Sequence, residues 1–295
     1  MDTWVIFTIF AAIMQSVRTA GQKRLATHIS PMSATMVRYV FGMPFAVAYF
    51  YTVVERPPEI LRACTSSPDF MKYAALAGVA QILSTYWLIK VLSFRNFVVG
   101  TVLSKTEAIQ AAIIGTVFFS AELSWTAWLA IIVGGLGIVL LSATQSLRSA
   151  NWASVSFGLL SGFGFALTAL WLREASTSLP YTFIQSAAAT LLFTVILQAA
   201  LCLLYTLWKE RDQIPMLRNK LPIALFIGAT SALGSVGWYT AMTYQNAALV
   251  RSLGQVELLF AIGISHWFFG ERITRNELLG VAAIFLSVII LLLYL

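Results

Sequence analysis

The fold is decided by two stretches that lie 150 residues apart, Ser93-Phe-Arg-Asn-Phe-Val-Val-Gly-Thr-Val-Leu-Ser-Lys-Thr-Glu107 and Thr243-Tyr-Gln-Asn-Ala-Ala-Leu-Val-Arg-Ser-Leu-Gly-Gln-Val-Glu257. Their asparagine, a central leucine and the final glutamate coincide in one register. The same shift lays Gly78 on Gly228. A match of a turn, a glycine and an intramembrane carboxylate in one register indicates an internal repeat.

Around these stretches the chain has the composition of a membrane protein. Of its 295 residues, 59% are apolar and 11% charged, with a mean hydropathy of +0.82, whereas soluble proteins carry about 25% charged residues. Since a membrane-spanning helix needs about 20 apolar residues, we expect about ten spans. Hydropathy places them at residues 3–22, 32–54, 70–90, 96–119, 125–143, 152–172, 181–207, 221–243, 247–269 and 276–295.

The predicted fold is therefore an all-α integral membrane protein of about ten transmembrane helices in two inverted five-helix repeats, residues 1–148 and 149–295. Five spans is an odd number, so the second repeat enters the membrane from the opposite side. Inverted repeats are a recurrent architecture of secondary transporters. The longer loops, residues 55–69 and 209–220, contain prolines and mixed charges and are expected to lie off the membrane.

Other classes of protein fit this sequence poorly. The net charge of +7 comes from scattered basic residues, with no run that would track a nucleic acid. Cys64 and Cys202 provide neither a disulfide framework nor a metal site, and no hydrolase or metalloprotease motif is present. The basic loop residues place both termini outside by the positive-inside rule, but several of them can equally line a cavity, so the orientation stays open.

Four stretches resemble the EamA-type, ten-span members of the drug/metabolite transporter superfamily. They are Arg38-Tyr39, Leu103-Ser-Lys-Thr-Glu107, Phe118-Phe-Ser-Ala-Glu-Leu-Ser124 and Phe268-Phe-Gly-Glu-Arg-Ile-Thr274. The last two resemble the family's turn of phenylalanine, glycine, glutamate, arginine, leucine and serine or threonine, although Ala121 replaces the glycine in the first copy. The resemblance implies a carrier of small metabolites in a bacterial inner (plasma) membrane. Many such carriers export amino acids, while others import solutes or handle amines, nucleotide-sugars or drugs.

The candidate functional carboxylates are Glu107 and Glu257, which the repeat places at equivalent positions inside spans. Ionisable groups at mid-bilayer are costly unless they face a cavity or a partner. They can bind a cationic amine or take up a proton. The alternative is a structural ion pair with Lys105 or Arg251. Glu122 and Glu271 precede Ser124 and Thr274, which are expected to cap the last span of each half.

The spans also contain basic and aromatic residues that can complete a pocket. Arginine can hold a carboxylate through two parallel hydrogen bonds, so the presence of both charge signs favours a zwitterionic solute. Lys23, Arg24, Lys90 and Arg95 are expected to snorkel to the headgroups. The further candidates, for each of which anchoring or packing is an alternative role, are Arg18, Arg38, Lys105, Arg251, Gln15, Tyr86, Trp87, Gln185, Trp238, Tyr239 and Gln255.

The sequence thus predicts an exporter of amino-acid-like or amine solutes that works by alternating access. The competing hypotheses are a flippase for a lipid or a lipid-linked head group and a multidrug or quaternary-amine carrier. The expected partners are a small-molecule solute and the lipid bilayer but no nucleic acid, with the protein a monomer or homodimer. No cofactor is expected, and proton coupling is left open.

Overall fold

The computed structural model of the protein describes residues 2–92, 94, 102–142, 152–218, 220–260, 263 and 275–293. Three of the sequence predictions lie outside this part of the chain. They are the snorkelling of Arg95, the turn Phe268–Thr274 and the cap formed by Glu271 and Thr274.

The described chain is helical, and no β-strand occurs among the described residues. The helices are α1 (Thr3–Leu25), α2 (Pro31–Val40), α3 (Met43–Val53), α4 (Pro57–Ser66), α5 (Pro68–Leu92), α6 (Glu107–Phe118), α7 (Trp125–Ser142), α8 (Trp152–Thr177), α9 (Phe183–Lys209), α10 (Gln213–Arg218), α11 (Leu221–Tyr244), α12 (Ala247–Leu253) and α13 (Arg275–Leu293). The two long loops predicted to lie off the membrane contain the short helices α4 and α10.

Five helices, α1, α5, α8, α9 and α11, are long and apolar enough to cross a bilayer on their own. The predicted second span is divided into α2 and α3 at Phe41–Gly42, and α4 turns away from that pair by 113°. The apolar α7 and α13 are shorter. In the described parts of the predicted fourth and ninth spans the helix is broken at residues 105–106 and 254–255. Hydropathy gave no sign of these breaks.

Polar caps mark several of the predicted turns. Ser124 accepts a hydrogen bond from the Ala127 amide at 3.1 Å and so caps α7, as the sequence predicted. Asn246 accepts one from the Ala248 amide at 2.9 Å. The repeated asparagine therefore starts a helix at the turn that the sequence comparison had singled out.

The packing of the helices is reciprocal between the two halves. The most extensive contacts join α5 to α8, α1 to α11 and α7 to α13. In the repeat, α5 corresponds to α11, and α1 corresponds to α8. The third spanning segment of each half therefore packs against the first spanning segment of the other half. This exchange is the arrangement expected for two halves related by a pseudo-two-fold axis.

The surface of the bundle matches a bilayer. Trp125, Trp152 and Trp208, at or near helix ends, are at least 72% exposed. Tryptophan is enriched at both membrane interfaces, where its ring meets the headgroups. Lys90 Nζ lies 4.7 Å from the centre of the Phe157 ring, and its extension to the headgroups stays a prediction.

Helix α4 offers a test of the packing outside the spans. Its Cys64 is 2% exposed, and burial raises the pKa of this thiol to about 11. Because the thiolate is the reacting form, we expect maleimide labelling of Cys64 in a Cys202→Ser background to be very slow at pH 7.5 and to accelerate as pH rises towards that pKa. The control is Arg62→Cys, at an exposed position of the same helix, in a cysteine-free background. Equal labelling rates at pH 7.5 would contradict the burial of Cys64.

Candidate functional site

Both repeated carboxylates stand directly after a helix break. The amide of Lys105 donates to the Val102 carbonyl at 2.9 Å, and the amide of Gln255 donates to the Ser252 carbonyl at 3.1 Å. These tight turns occupy equivalent positions of the repeat. Glu107 and Glu257 each follow their break within two residues. The two halves therefore each place one carboxylate at the centre.

Each carboxylate is paired with a cation from the other half of the chain. Lys105 Nζ lies 2.5 Å from Glu257 Oε2, and Arg251 Nη1 lies 3.4 Å from Glu107 Oε1. All four side chains are at most 12% exposed. The alternative reading of the sequence, an ion pair with Lys105 or Arg251, is thus realised geometrically for both glutamates.

A polar bridge joins the two ion pairs. Gln15 Nε2 donates to Glu257 Oε2 at 2.6 Å, and Gln15 Oε1 accepts from Trp238 Nε1 at 2.9 Å. The guanidinium carbon of Arg251 lies 4.8 Å from the centre of the Trp238 ring, within cation–π range. Six of the predicted residues therefore form one continuous network, in the order Lys105, Glu257, Gln15, Trp238, Arg251 and Glu107.

A second polar cluster surrounds Arg38. Its Nη1 donates to Thr85 Oγ1 at 2.9 Å, and the neighbouring Tyr39 hydroxyl donates to the Gln81 carbonyl at 3.2 Å. Gln198 Nε2 donates to Gln81 Oε1 at 2.7 Å. Gln81 and Gln198 were missed by the sequence analysis, although an amide in the middle of an apolar span is itself a signal worth following.

Tyr239 belongs to this second cluster. Its hydroxyl is within 2.8 Å of Thr194 Oγ1 and donates to Gln81 Oε1 at 3.3 Å. The residue is 1% exposed, so its role in this conformation is to tie α11 to α5 and α9. It was predicted to line the pocket together with Trp238, but the two side chains enter different clusters.

Arg18 is buried near both clusters without an ionic partner in the described part of the chain. It is 2% exposed, and its Nε has no hydrogen-bond partner. It is close enough to Arg38, Arg251 and Glu257 to interact with their charges. None of the salt bridges between described residues involves Arg18 or Arg38.

The space between these side chains is small. A cavity of about 20 Å³ lies at the centre, which accommodates about one water molecule. Among the described residues the site is therefore closed, and a solute can enter between them only if the helices move apart. The lining residues are Gln15, Arg38, Gln81, Leu88, Ser104, Lys105, Glu107, Phe165, Trp238 and Arg251.

The profile of the EamA-like transporter family matches this chain twice, over residues 2–143 and residues 152–293. This chain belongs to the EamA-like transporter family. As a member, it is an integral membrane protein of the drug/metabolite transporter type that handles small solutes, and the family consists of transporters and not of enzymes. The two matches confirm the predicted two-repeat, all-α architecture.

Solved structures support the same fold. A crystal structure of another protein, 11% identical in sequence, superposes with a TM-score of 0.75 over 100% of this chain and 99% of that chain. At this identity the likeness concerns the fold alone. No curated protein sequence matches this chain.

Four predicted residues of this EamA-like transporter lie away from the central cavity. Tyr86 and Trp87 are half-buried on α5, where Tyr86 meets Lys90. Gln185 lies in the first turn of α9, where its backbone N–H donates a hydrogen bond to the Thr182 hydroxyl. Gln255 is 3% exposed and reaches towards Gly134 on α7, with both side-chain polar atoms unpaired. Hydropathy placed these residues in predicted spans but did not give the direction in which their side chains point.

The described residues offer no group of three histidine, cysteine, aspartate or glutamate side chains placed to hold a metal ion. The central site instead combines paired charges, amides and an indole. Such a site can bind a small polar solute by exchanging protein–protein contacts for protein–solute contacts.

Proposed function

We propose that this EamA-like transporter exports an amino-acid-like solute by alternating access of its two halves. The observation that carries the proposal is the reciprocal pairing at the centre, Lys105 with Glu257 and Arg251 with Glu107. In each pair the carboxylate and the cation belong to different halves. Export is the direction that the family resemblance favours.

The pairing suggests how the solute and the conformational change are coupled. When one half rocks against the other, the cross-pairs must stretch, and a buried charge that loses its partner is strongly destabilising. A zwitterionic solute carries an ammonium group for a glutamate and a carboxylate for Arg251 or Lys105. Binding of such a solute would compensate the separated charges and so lower the cost of opening.

The test is solute flux into and out of proteoliposomes with the double variant Glu107→Gln and Glu257→Gln. Each substitution removes a hydrogen bond to a charged group, about 1.5–3 kcal/mol, so we expect transport to fall by about 100-fold or more. The matched control is Glu122→Gln, an exposed carboxylate in the loop before α7, which should transport normally.

The same vesicles separate the competing hypotheses. Unchanged flux in the double variant would exclude a role for both glutamates. Scrambling of a labelled lipid without flux of any amino acid would favour the flippase instead. Transport that follows an imposed pH gradient would add proton coupling to the proposed cycle, and vesicles loaded on one side only would reveal the direction.

A further inference from the structure

Among the residues that the structure describes, the charges at the centre do not balance. Four buried or nearly buried cations, Arg18, Arg38, Lys105 and Arg251, meet two carboxylates, Glu107 and Glu257. The two carboxylates are taken by Lys105 and Arg251. No salt bridge between described residues joins Arg18 or Arg38 to a carboxylate, so the described cations at the centre outnumber the described carboxylates by two.

Unpaired donors collect at the level of Arg18. A Cβ on Gly21 of α1 would touch Ile227 of α11, and one on Gly234 of α11 would touch Met14 of α1. The two helices are therefore antiparallel, and Arg18 stands level with Thr230, next to Ser231. The buried polar atoms in this region that have no hydrogen-bond partner among the described residues are Arg18 Nε, Gln22 Nε2 and Ser231 Oγ.

One member of this donor cluster, Ser231, lies on the same void as Arg38. Arg38 lines the central cavity and also a neighbouring void of about 10 Å³, whose wall includes Ser231. Buried polar groups are nearly always hydrogen-bonded, and those that are not need an explanation such as a missing ligand. Guanidinium and amide N–H groups donate to oxygen acceptors, and the preferred ligand of an arginine pair is a carboxylate or phosphate.

We propose that the transported solute carries a second acidic group, a carboxylate that binds between Arg18 and Arg38, so that its charge is net negative. This inference rests on the proposed function and narrows its substrate class to acidic amino acids and related small dicarboxylates. A neutral amino acid would leave both excess charges in place. A simple or quaternary amine would add a third excess positive charge.

The electrostatic surroundings favour the same charge sign. A further cavity of about 570 Å³ lies along α1 and against the start of α11. Arg24, His28 and Lys220 line it, and no carboxylate is among its lining residues. A lining of one charge sign attracts ions of the opposite sign, so this cavity would concentrate anions at that end of α1.

The first experiment is thermal unfolding of the detergent-solubilised protein with pairs of nearly isosteric ligands. We expect glutamate or aspartate to raise Tm, and glutamine or asparagine to have at most about a tenth of the affinity, since they lack the second charge. Succinate separates the need for an amino group from the need for two carboxylates. O-phosphoserine against serine tests a phosphate in place of the second carboxylate.

The outcomes are distinguishable from failure of the proposed function. Equal shifts with glutamate and glutamine would overturn the acidic-solute inference while leaving amino-acid transport standing. A response to O-phosphoserine but not to glutamate would replace the carboxylate by a phosphate and also overturn it. If no ligand of the panel shifts Tm, the result would count against both the acidic-solute inference and the proposed transport of amino-acid-like solutes.

The second experiment uses Arg18→Gln. If no protein group neutralises Arg18, this substitution removes an unpaired buried charge, so Tm of the ligand-free protein should rise while the glutamate-dependent shift is lost. Arg62→Gln, at an exposed position of α4, is the control and should change neither. A lower Tm in ligand-free Arg18→Gln would mean that Arg18 has a structural partner, and that result would overturn the inference.

Discussion

Replacing Lys105 by methionine is expected to destabilise the protein by about 3–5 kcal/mol, the usual cost of leaving one member of a buried ion pair alone. Lys105 Nζ lies 2.5 Å from Glu257 Oε2, and both side chains are at most 12% exposed. Gln15 would still donate to Glu257, so we expect the lower end of that range. Thermal unfolding in detergent, followed by tryptophan fluorescence or circular dichroism, measures the loss.

The double variant Lys105→Met and Glu257→Gln provides the decisive comparison. Removing both charges leaves no buried ion without a partner, so it should recover most of the stability lost in Lys105→Met. If the double variant is as unstable as the sum of the single variants, the pair does not interact energetically. Arg56→Met is the control, because its ion pair with Glu59 is exposed and exposed pairs contribute about 0–1 kcal/mol.

The repeat explains why the central carboxylates could be predicted from the sequence. A residue that recurs 150 positions later occupies the equivalent place in the other half. A glutamate inside an apolar span is costly unless it faces a cavity or a partner. Glu107 and Glu257 follow from that argument, as do Lys105 and Arg251 as their partners. The crossing of the pairs between halves could not be predicted, because it depends on how the halves pack.

The predicted residues that do not line the central cavity fall outside it for one physical reason. An apolar span has no clean polar stripe, so the direction of a side chain depends on local breaks and on neighbouring helices. Tyr86 and Trp87 lie one to two residues from Thr85, which does contact Arg38, yet neither is among the residues that line the cavity. Gln255 lies in the turn at a helix break, and this turn directs its side chain towards α7.

Gly228→Ala is expected to be the most damaging of the conservative glycine substitutions on α11. A Cβ at this position would overlap the backbone carbonyl of Phe41, at the break between α2 and α3. Backbone at a helix junction cannot move aside as a side-chain tip can, so we expect a loss of about 3 kcal/mol or more in stability, at or above the upper end for overpacking. The change would also push apart the helices that hold Arg38 in place, so ligand binding should weaken along with Tm.

The matched control lies on the same helix. A Cβ at Gly234 would meet the Met14 side chain at 3.4 Å and the backbone of Ala11 and Gln15 at 3.8 and 3.9 Å, all ordinary van der Waals contacts. Alanine is also a better helix former than glycine by about 0.8–1.0 kcal/mol. Gly234→Ala should therefore keep or slightly raise Tm. The contrast separates steric exclusion from helix propensity, since both variants gain the same methyl group in the same helix. If both variants unfold at the wild-type temperature, α11 does not approach the α2–α3 break as closely as described, and the placement of Arg38 beside the central cavity would have to be revised.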